Sequence, residues 1–138
     1  MKNHLIVYWM ATAVIGPETL AGGITDLLGG RATLVSGPFA QDLVTHLGYP
    51  PYLLTILGFW KVLGAIVILA PGLPRLKEWA YAGVFFELTG AAASWALHGD
   101  PAAEIASPIV LAAIALASWM LRPASRRLGV VSSGTLRA

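Results

Sequence analysis

The chain has 138 residues, of which 57% are hydrophobic and only 12% are charged, and its mean hydropathy is +0.71. Because a soluble domain carries about a quarter charged residues, this composition favours a protein of the lipid bilayer over a soluble helical bundle with an unusually apolar surface. The absence of cysteine excludes disulfides, thiol redox chemistry and cysteine-ligated zinc or iron–sulfur sites within the chain.

Four apolar runs are long enough to cross a bilayer, which takes about 20 residues of helix. They cover roughly residues 5–28, 52–70, 79–97 and 105–121. The runs are continuous rather than alternating, which predicts helices and not β-strands. The first run is longer than the apolar core of a signal peptide and three more follow, so we interpret it as a retained helix. The predicted fold is all-α, an integral membrane four-helix bundle formed by residues 1–122.

The first loop, Gly29–Pro51, is long for a connection within a bundle. Its segment "GPFAQDLVTHLGYPP" has one apolar helical face opposite a polar one. The apolar face comprises Phe39, Leu43, Val44 and Leu47. This pattern predicts a short interfacial helix on the outer surface, ended by "GYPP", with an irregular loop as the alternative.

Lysine and arginine residues flank the spans unevenly. Arg31 lies on one side, and all the others that flank spans lie on the opposite side: Lys2, Arg75, Lys77, Arg122, Arg126, Arg127 and Arg137. This asymmetry predicts that both termini are cytoplasmic. Residues 123–138, rich in Ser, Gly and Arg, are predicted to form a disordered basic cytoplasmic tail. Since topology accounts for these charges, no nucleic-acid partner is predicted.

Three charged residues lie in the middle of the apolar spans: Glu18, Lys61 and Glu87. With a rise of 1.5 Å per residue, each lies roughly 13–16 Å from the outer end of its span, near the midplane of the bilayer. A lone charge there costs at least about 2.5–3.5 kcal/mol, so we expect Lys61 to pair with Glu87, with Glu18 or with both. The surplus carboxylate then calls for a proton, a cation or a ligand donor. A static packing clamp between Lys61 and Glu87 is the alternative.

Small and polar residues continue from these carboxylates toward the outer ends of their helices. Ser94 and His98 lie on the helical face of Glu87, and Asp26 lies on that of Glu18. We predict that Asp26 and His98 lie near the outer surface, where they admit protons or cations. Ordinary interfacial residues are the alternative reading.

The three histidines do not predict a metal site. His4, His46 and His98 are dispersed along the chain, and His4 and His98 fall on opposite sides of the predicted membrane. The segment "AGGITDLLGG" also lacks the spacing and strand context of a phosphate-binding loop.

Distinctive motifs occur between Gly48 and Asp100: "GYPPY", "WKVLGA", "PGLPRLKEWAY" and "FFELTGAAAS", followed by "GD". By these motifs the chain resembles the DoxX-like family of small four-helix bacterial membrane proteins. The resemblance implies a multi-pass protein of the bacterial cytoplasmic (inner) membrane. The wider family takes its name from a membrane subunit of an archaeal thiosulfate–quinone oxidoreductase, and related members are linked to oxidative-stress complexes. It therefore implies a redox association and a quinone as ligand, but it assigns no catalytic residues.

We predict a redox-associated subunit that binds a quinone or other lipophilic small molecule at the midplane cluster, which leaves enzymatic activity open. Lys61 would hydrogen-bond a quinone carbonyl, Glu87 or Glu18 would exchange the proton, and a soluble redox partner would bring the electrons. The alternatives are a proton-coupled small-ligand carrier and a purely structural or assembly subunit. A pocket open to lipid beside Lys61 favours the first, and a hydrated path from His98 or Asp26 to Glu87 favours the second. Small-residue faces also favour a homo-oligomer.

Overall fold

The structure, a computed structural model, describes residues 2–31 and 40–129. Over these ranges the chain forms five α-helices, one 3-10 turn and no strand, which confirms the all-α prediction for this part of the chain. The helices are α1 (Lys2–Leu27), α2 (Ala40–His46), α3 (Tyr52–Leu69), α4 (Pro74–His98) and α5 (Ala102–Met120), and the turn is Ala124–Arg126.

Three of the described helices are long and apolar enough to cross a membrane: Asn3–Leu27, Tyr52–Leu69 and Ala102–Met120. They coincide with the first, second and fourth predicted spans. Large apolar side chains such as Met10 and Ile66 are exposed on their outer faces, which suits contact with lipid rather than water. The chain is therefore a membrane protein. The third predicted span lies in α4, which is not among the three, so a fourth crossing stays a prediction.

The long helices pack around one apolar core. Helix α1 lies against α3 and α5, and α4 lies against α5 and α3. Each long helix contributes to the core, whose buried members are Ile15, Ile68, Tyr81, Val84 and Ala115. This arrangement leaves α3 and α4 as neighbours along one side of the molecule.

Helices α1 and α3 approach each other closely because both have glycine at the contact. A Cβ atom on Gly23 would lie 2.7 Å from the Cβ of Lys61, and one on Gly58 would lie 2.8 Å from the carbonyl oxygen of Gly23. Neither separation is tolerated between real atoms, so any larger residue would push the helices apart. The glycines thus fix how far α1 slides along α3.

At one end of the molecule α3 ends and α4 begins, and we call this the basic end because Lys77, Arg122 and Arg126 are buried there. Lys77 donates hydrogen bonds to three carbonyl groups at the end of α3. These carbonyl groups belong to Val67, to Ile68 at 2.8 Å and to Ala70 at 2.6 Å. Because the last carbonyls of a helix have no partner within the helix, Lys77 satisfies them.

The chain after α5 departs from the predicted disordered tail. Residues 124–126 form a 3-10 turn, and the Arg126 guanidinium donates to the Tyr8 hydroxyl at 3.0 Å. Arg122 pairs with Glu78 at 2.7 Å. These contacts hold the chain as far as Arg126 against the basic end, because a buried guanidinium needs hydrogen-bond acceptors. Residues 130–138 of the predicted tail lie outside the described part of the chain.

The first loop contains the short helix α2, where the sequence predicts one. None of its residues is buried, and Phe39, a member of the predicted apolar face, lies outside the described residues. Its position at a membrane surface stays a prediction.

Candidate functional site

A groove of about 500 Å³ lies between α3 and α4. One face of each helix lines it, since the lining residues recur at three- and four-residue spacing. Its walls are almost entirely apolar, and the charged residues in the lining are Lys61 and Glu87. The groove therefore combines an apolar body with one polar site.

Glycine residues keep the groove wide. Gly64 of α3 and Gly83 of α4 both line it, and a Cβ atom on either would meet no other atom within 4 Å. Trp60 and Trp79 line it as well, and both side chains are more than half exposed. Because these indoles are exposed at the surface, the groove opens sideways to the surroundings of the helices.

Lys61 forms the centre of a three-residue ion cluster. Its Nζ lies 2.8 Å from Oε1 of Glu87 on α4 and 2.9 Å from Oδ2 of Asp26 on α1. The Asp26 side chain is only 5% exposed, whereas those of Lys61 and Glu87 are 21% and 23% exposed. The cluster therefore runs from the α1–α3 contact to the wall of the groove.

The sequence of α1 allows a close approach to this cluster. A Cβ on Gly22 would lie at ordinary van der Waals distance, 3.6 Å, from the Lys61 Nζ, so this part of α1 borders the ammonium directly. Gly23 lies level with Lys61, and Asp26 follows one turn later on the same side of the helix. The lysine side chain reaches along α3 to meet it.

Glu18 does not pair with Lys61, contrary to one of the two pairings expected. Its side chain is exposed, and the ion pairs of the described residues give Lys61 only Asp26 and Glu87 as partners. Lys61 lies level with Gly23, so along the helix Asp26 is about 4.5 Å away and Glu18 about 7.5 Å. The expectation assumed that α1 and α3 end at equal depth, but α3 extends about one turn beyond α1. Asp26, expected near the surface, takes the place of Glu18.

Ser94 and His98 lie apart from the cluster, toward the end opposite the basic end. The Ser94 hydroxyl donates to the carbonyl of Gly90 at 2.9 Å, so the Tyr49 hydroxyl, 2.8 Å away, is the donor to Ser94. The His98 ring lies against His46, with 4.5 Å between the centroids. Across the described ranges, no side-chain hydrogen bond connects either residue to Glu87.

Sequence reasoning missed two features of this site. Trp60 and Trp79 border the groove, a role that sequence reasoning did not predict. It also assigned Gly83 to a small-residue face for self-association and gave Gly64 no role. A signal was present: Gly64 follows Lys61 by three residues and Gly83 precedes Glu87 by four, so both share a helical face with the charges.

The cluster offers one free donor and one surplus negative charge. An ammonium has three N–H groups. Asp26 accepts a hydrogen bond from one of them, and Glu87 lies at ion-pair distance from the same nitrogen, at 2.8 Å. The third remains for an acceptor in the groove. One ammonium and two carboxylates leave one formal negative charge unbalanced beside the groove.

A model of the DoxX-like family matches residues 10–118 of the chain. The match covers the whole groove, the ion cluster and the connecting loops. No curated protein and no solved structure matches the chain.

Proposed function

The chain belongs to the DoxX-like family, and from this premise we propose that it binds a quinone or similar lipophilic carbonyl compound in the groove between α3 and α4, as a redox-associated membrane subunit. The observation that carries the proposal is the combination of an apolar groove of about 500 Å³ with Lys61 and Glu87 in its wall. Small-molecule sites have volumes of about 300–1,000 Å³ and are mostly apolar, with few polar groups that orient the ligand.

The route into the groove supports a lipophilic ligand. Trp60 and Trp79 are exposed at its rim, so in a bilayer the groove faces lipid and a molecule dissolved there reaches it without crossing water. A lateral pocket beside Lys61 is the feature that distinguishes this function from the alternatives.

The cluster supplies the polar chemistry that a quinone requires. Lys61 donates its free N–H to one carbonyl oxygen, which favours negative charge on that oxygen as electrons arrive. Reduction to the quinol takes two electrons and two protons. Glu87 is the carboxyl group that passes these two protons to the ligand oxygens one after the other, regaining each from the solvent, and a soluble redox partner supplies both electrons.

Topology is part of the same proposal. Helix α4 crosses the membrane as the fourth span of a four-helix bundle, because its only charge between 79 and 97, Glu87, pairs with Lys61 at 2.8 Å. Phe86 and Leu97 are exposed as lipid-facing residues. The basic end is cytoplasmic, as its buried Lys77, Arg122 and Arg126 suggest. Helix α2 then lies at the outer surface of a bacterial inner membrane.

Filling the groove tests this function. We expect Gly83→Leu to weaken binding of a short-chain quinone by about 10-fold or more, since its side chain occupies the space of the ligand. Gly90→Leu is the matched control: it lies on the same helix, outside the groove, and its Cβ likewise meets no atom within 4 Å. Binding is measured by tryptophan fluorescence quenching in lipid nanodiscs. Equal affinity in the wild type and both variants would refute the groove as the site.

The buried Asp26 favours a second candidate, a proton-coupled carrier of a small ligand. Asp26 and Glu87 contact the same ammonium, so a proton taken up at one carboxylate changes the charge balance at the other. Ligand-dependent proton uptake by vesicles containing the protein, without any change in the oxidation state of the ligand, would favour this function over the redox role.

A further inference from the structure

His46, His98 and Asp100 form a cluster at the end of the molecule opposite the basic end. Each offers one ligand atom, and these atoms all lie within 4.8 Å of one another. His46 Nε2 is 2.9 Å from Asp100 Oδ1, and the two imidazole rings are 4.5 Å apart between centroids. The sequence predicts dispersed histidines, but His46 and His98 lie together. The third residue of the cluster is Asp100 and not His4.

The end of α4 places two of these residues side by side. Gly99 adopts a left-handed conformation, with φ of +86°, which favours glycine. The Gly99 and Asp100 N–H groups bond back to the carbonyls of Ala96 and Trp95, at 3.2 and 3.1 Å. This turn folds Asp100 back over the end of the helix beside His98. Helix α2 brings His46 from a separate part of the chain.

One carboxylate oxygen of Asp100 has no hydrogen-bond partner among the described residues. This oxygen, Oδ2, is buried. An unpartnered carboxylate oxygen without water is costly, because the desolvation of the charged group is not repaid. His46 contacts only Oδ1. A cation beside the carboxylate would offset the desolvation cost of Oδ2, which the imidazole does not contact.

We propose that His46, His98 and Asp100 bind a divalent transition-metal ion, with zinc as the ion best matched to the donors. Two imidazole nitrogens and one carboxylate oxygen are typical zinc ligands, at about 2.0–2.2 Å from the metal. Tetrahedral geometry then requires donors about 3.3 Å apart, which small side-chain rotations reach from the present separations. The ion would lie between His46 Nε2 and Asp100 Oδ1, which are 2.9 Å apart, and water would take its fourth position.

The site joins α2 to the end of α4 and leaves the groove cluster untouched. It differs from the proposed quinone site in position, donor set and ligand, so a test of metal binding does not depend on whether the groove binds a quinone. Trp95 lies 5.8 Å from His46 between ring centroids, which puts a fluorescent reporter next to the metal.

The test is a metal titration of the full-length chain, without an affinity tag, in detergent micelles. Zinc is added to metal-free protein and followed by calorimetry, and cobalt is added to detect the visible absorption of a tetrahedral ion. We expect one ion per chain. His46→Ala, His98→Ala and Asp100→Asn should each weaken zinc binding by about 10-fold or more, because each removes a ligand. His4→Ala, at the other end of the molecule, should bind as the wild type does.

Thermal unfolding gives a second readout. Zinc should raise the melting temperature of the wild type and of His4→Ala, but not that of the three ligand variants, because binding to the folded state alone stabilises it. Wild-type zinc affinity in any of the three ligand variants would overturn the assignment. An equal loss in His4→Ala, or no stoichiometric binding by the wild type, would overturn it too.

Discussion

Lys61 is an ammonium group in an apolar helix with two carboxylates at 2.8 and 2.9 Å. The three side chains are not equivalent, because Asp26 is almost fully buried whereas Glu87 is partly exposed in the groove. Asp26 therefore anchors the ammonium, and Glu87 is the carboxylate that a ligand can reach. This division assigns the structural role to one acid and the chemical role to the other.

Replacing the two acids of α1 one at a time tests which of them anchors Lys61. We expect Asp26→Asn to lower the free energy of unfolding by about 1–3 kcal/mol, since it removes a charged hydrogen-bond partner from a buried site. Glu18→Gln is the matched control and should change it by less than about 0.5 kcal/mol, because Glu18 is exposed and makes no ion pair in the described part of the chain. Thermal unfolding in detergent, followed by circular dichroism, measures both. A larger loss for Glu18→Gln would contradict the observed pairing.

The sequence predicts part of this cluster for a physical reason. An apolar span tolerates Lys61 only next to an opposite charge, and Glu87 is the acid near the same depth on the neighbouring α4. The choice between Glu18 and Asp26 depends on how far α1 slides along α3. Contacts at Gly23 and Gly58 set that offset. The periodicity of the sequence does not predict it, because periodicity shows which residues share a face but not how two helices align lengthwise.

Among the elements, α4 differs most from its predicted extent. The apolar run covers residues 79–97, but the helix begins at Pro74, five residues earlier. Proline suits the first turn of a helix because its missing N–H has no intrahelical acceptor there, and buried Lys77 finds acceptors at the end of α3. Hydropathy predicts only the apolar length of a helix, whereas the polar first turn of α4 is held by the contacts of Lys77 with the end of α3.

Cysteine labelling tests whether α4 crosses the membrane. Because the chain has no cysteine, a single introduced cysteine reports on one position. If α3, α4 and α5 all cross, Thr45→Cys in α2 and Glu104→Cys at the start of α5 lie on the outer side, and Ser125→Cys lies on the cytoplasmic side. We expect a membrane-impermeant maleimide to label the first two in intact cells and the third only after lysis. Labelling of Thr45→Cys and Ser125→Cys from the same side would mean that α4 does not cross.

In the whole molecule, the two sites occupy different places and arise in different ways. The groove forms because α3 and α4 each have glycine on the face that carries a charge, a pattern readable in the sequence once the helices are known to be neighbours. The cluster of His46, His98 and Asp100 joins α2 to the end of α4. No local pattern predicts that contact, since it depends on where the loop after α1 returns to the bundle.

The central claim is that the charged groove holds a lipophilic ligand, and extraction of purified protein tests it most directly. The wild type is compared with the triple variant Asp26→Asn/Lys61→Met/Glu87→Gln, which removes all three charges together and so leaves none unpaired. Both are purified from their native membrane, shown to be equally helical and monodisperse, extracted with organic solvent and analysed by absorbance and mass spectrometry. We expect a quinone or related lipophile with the wild type and little or none with the variant. Equal ligand content in the two proteins, or none in either, would contradict the claim.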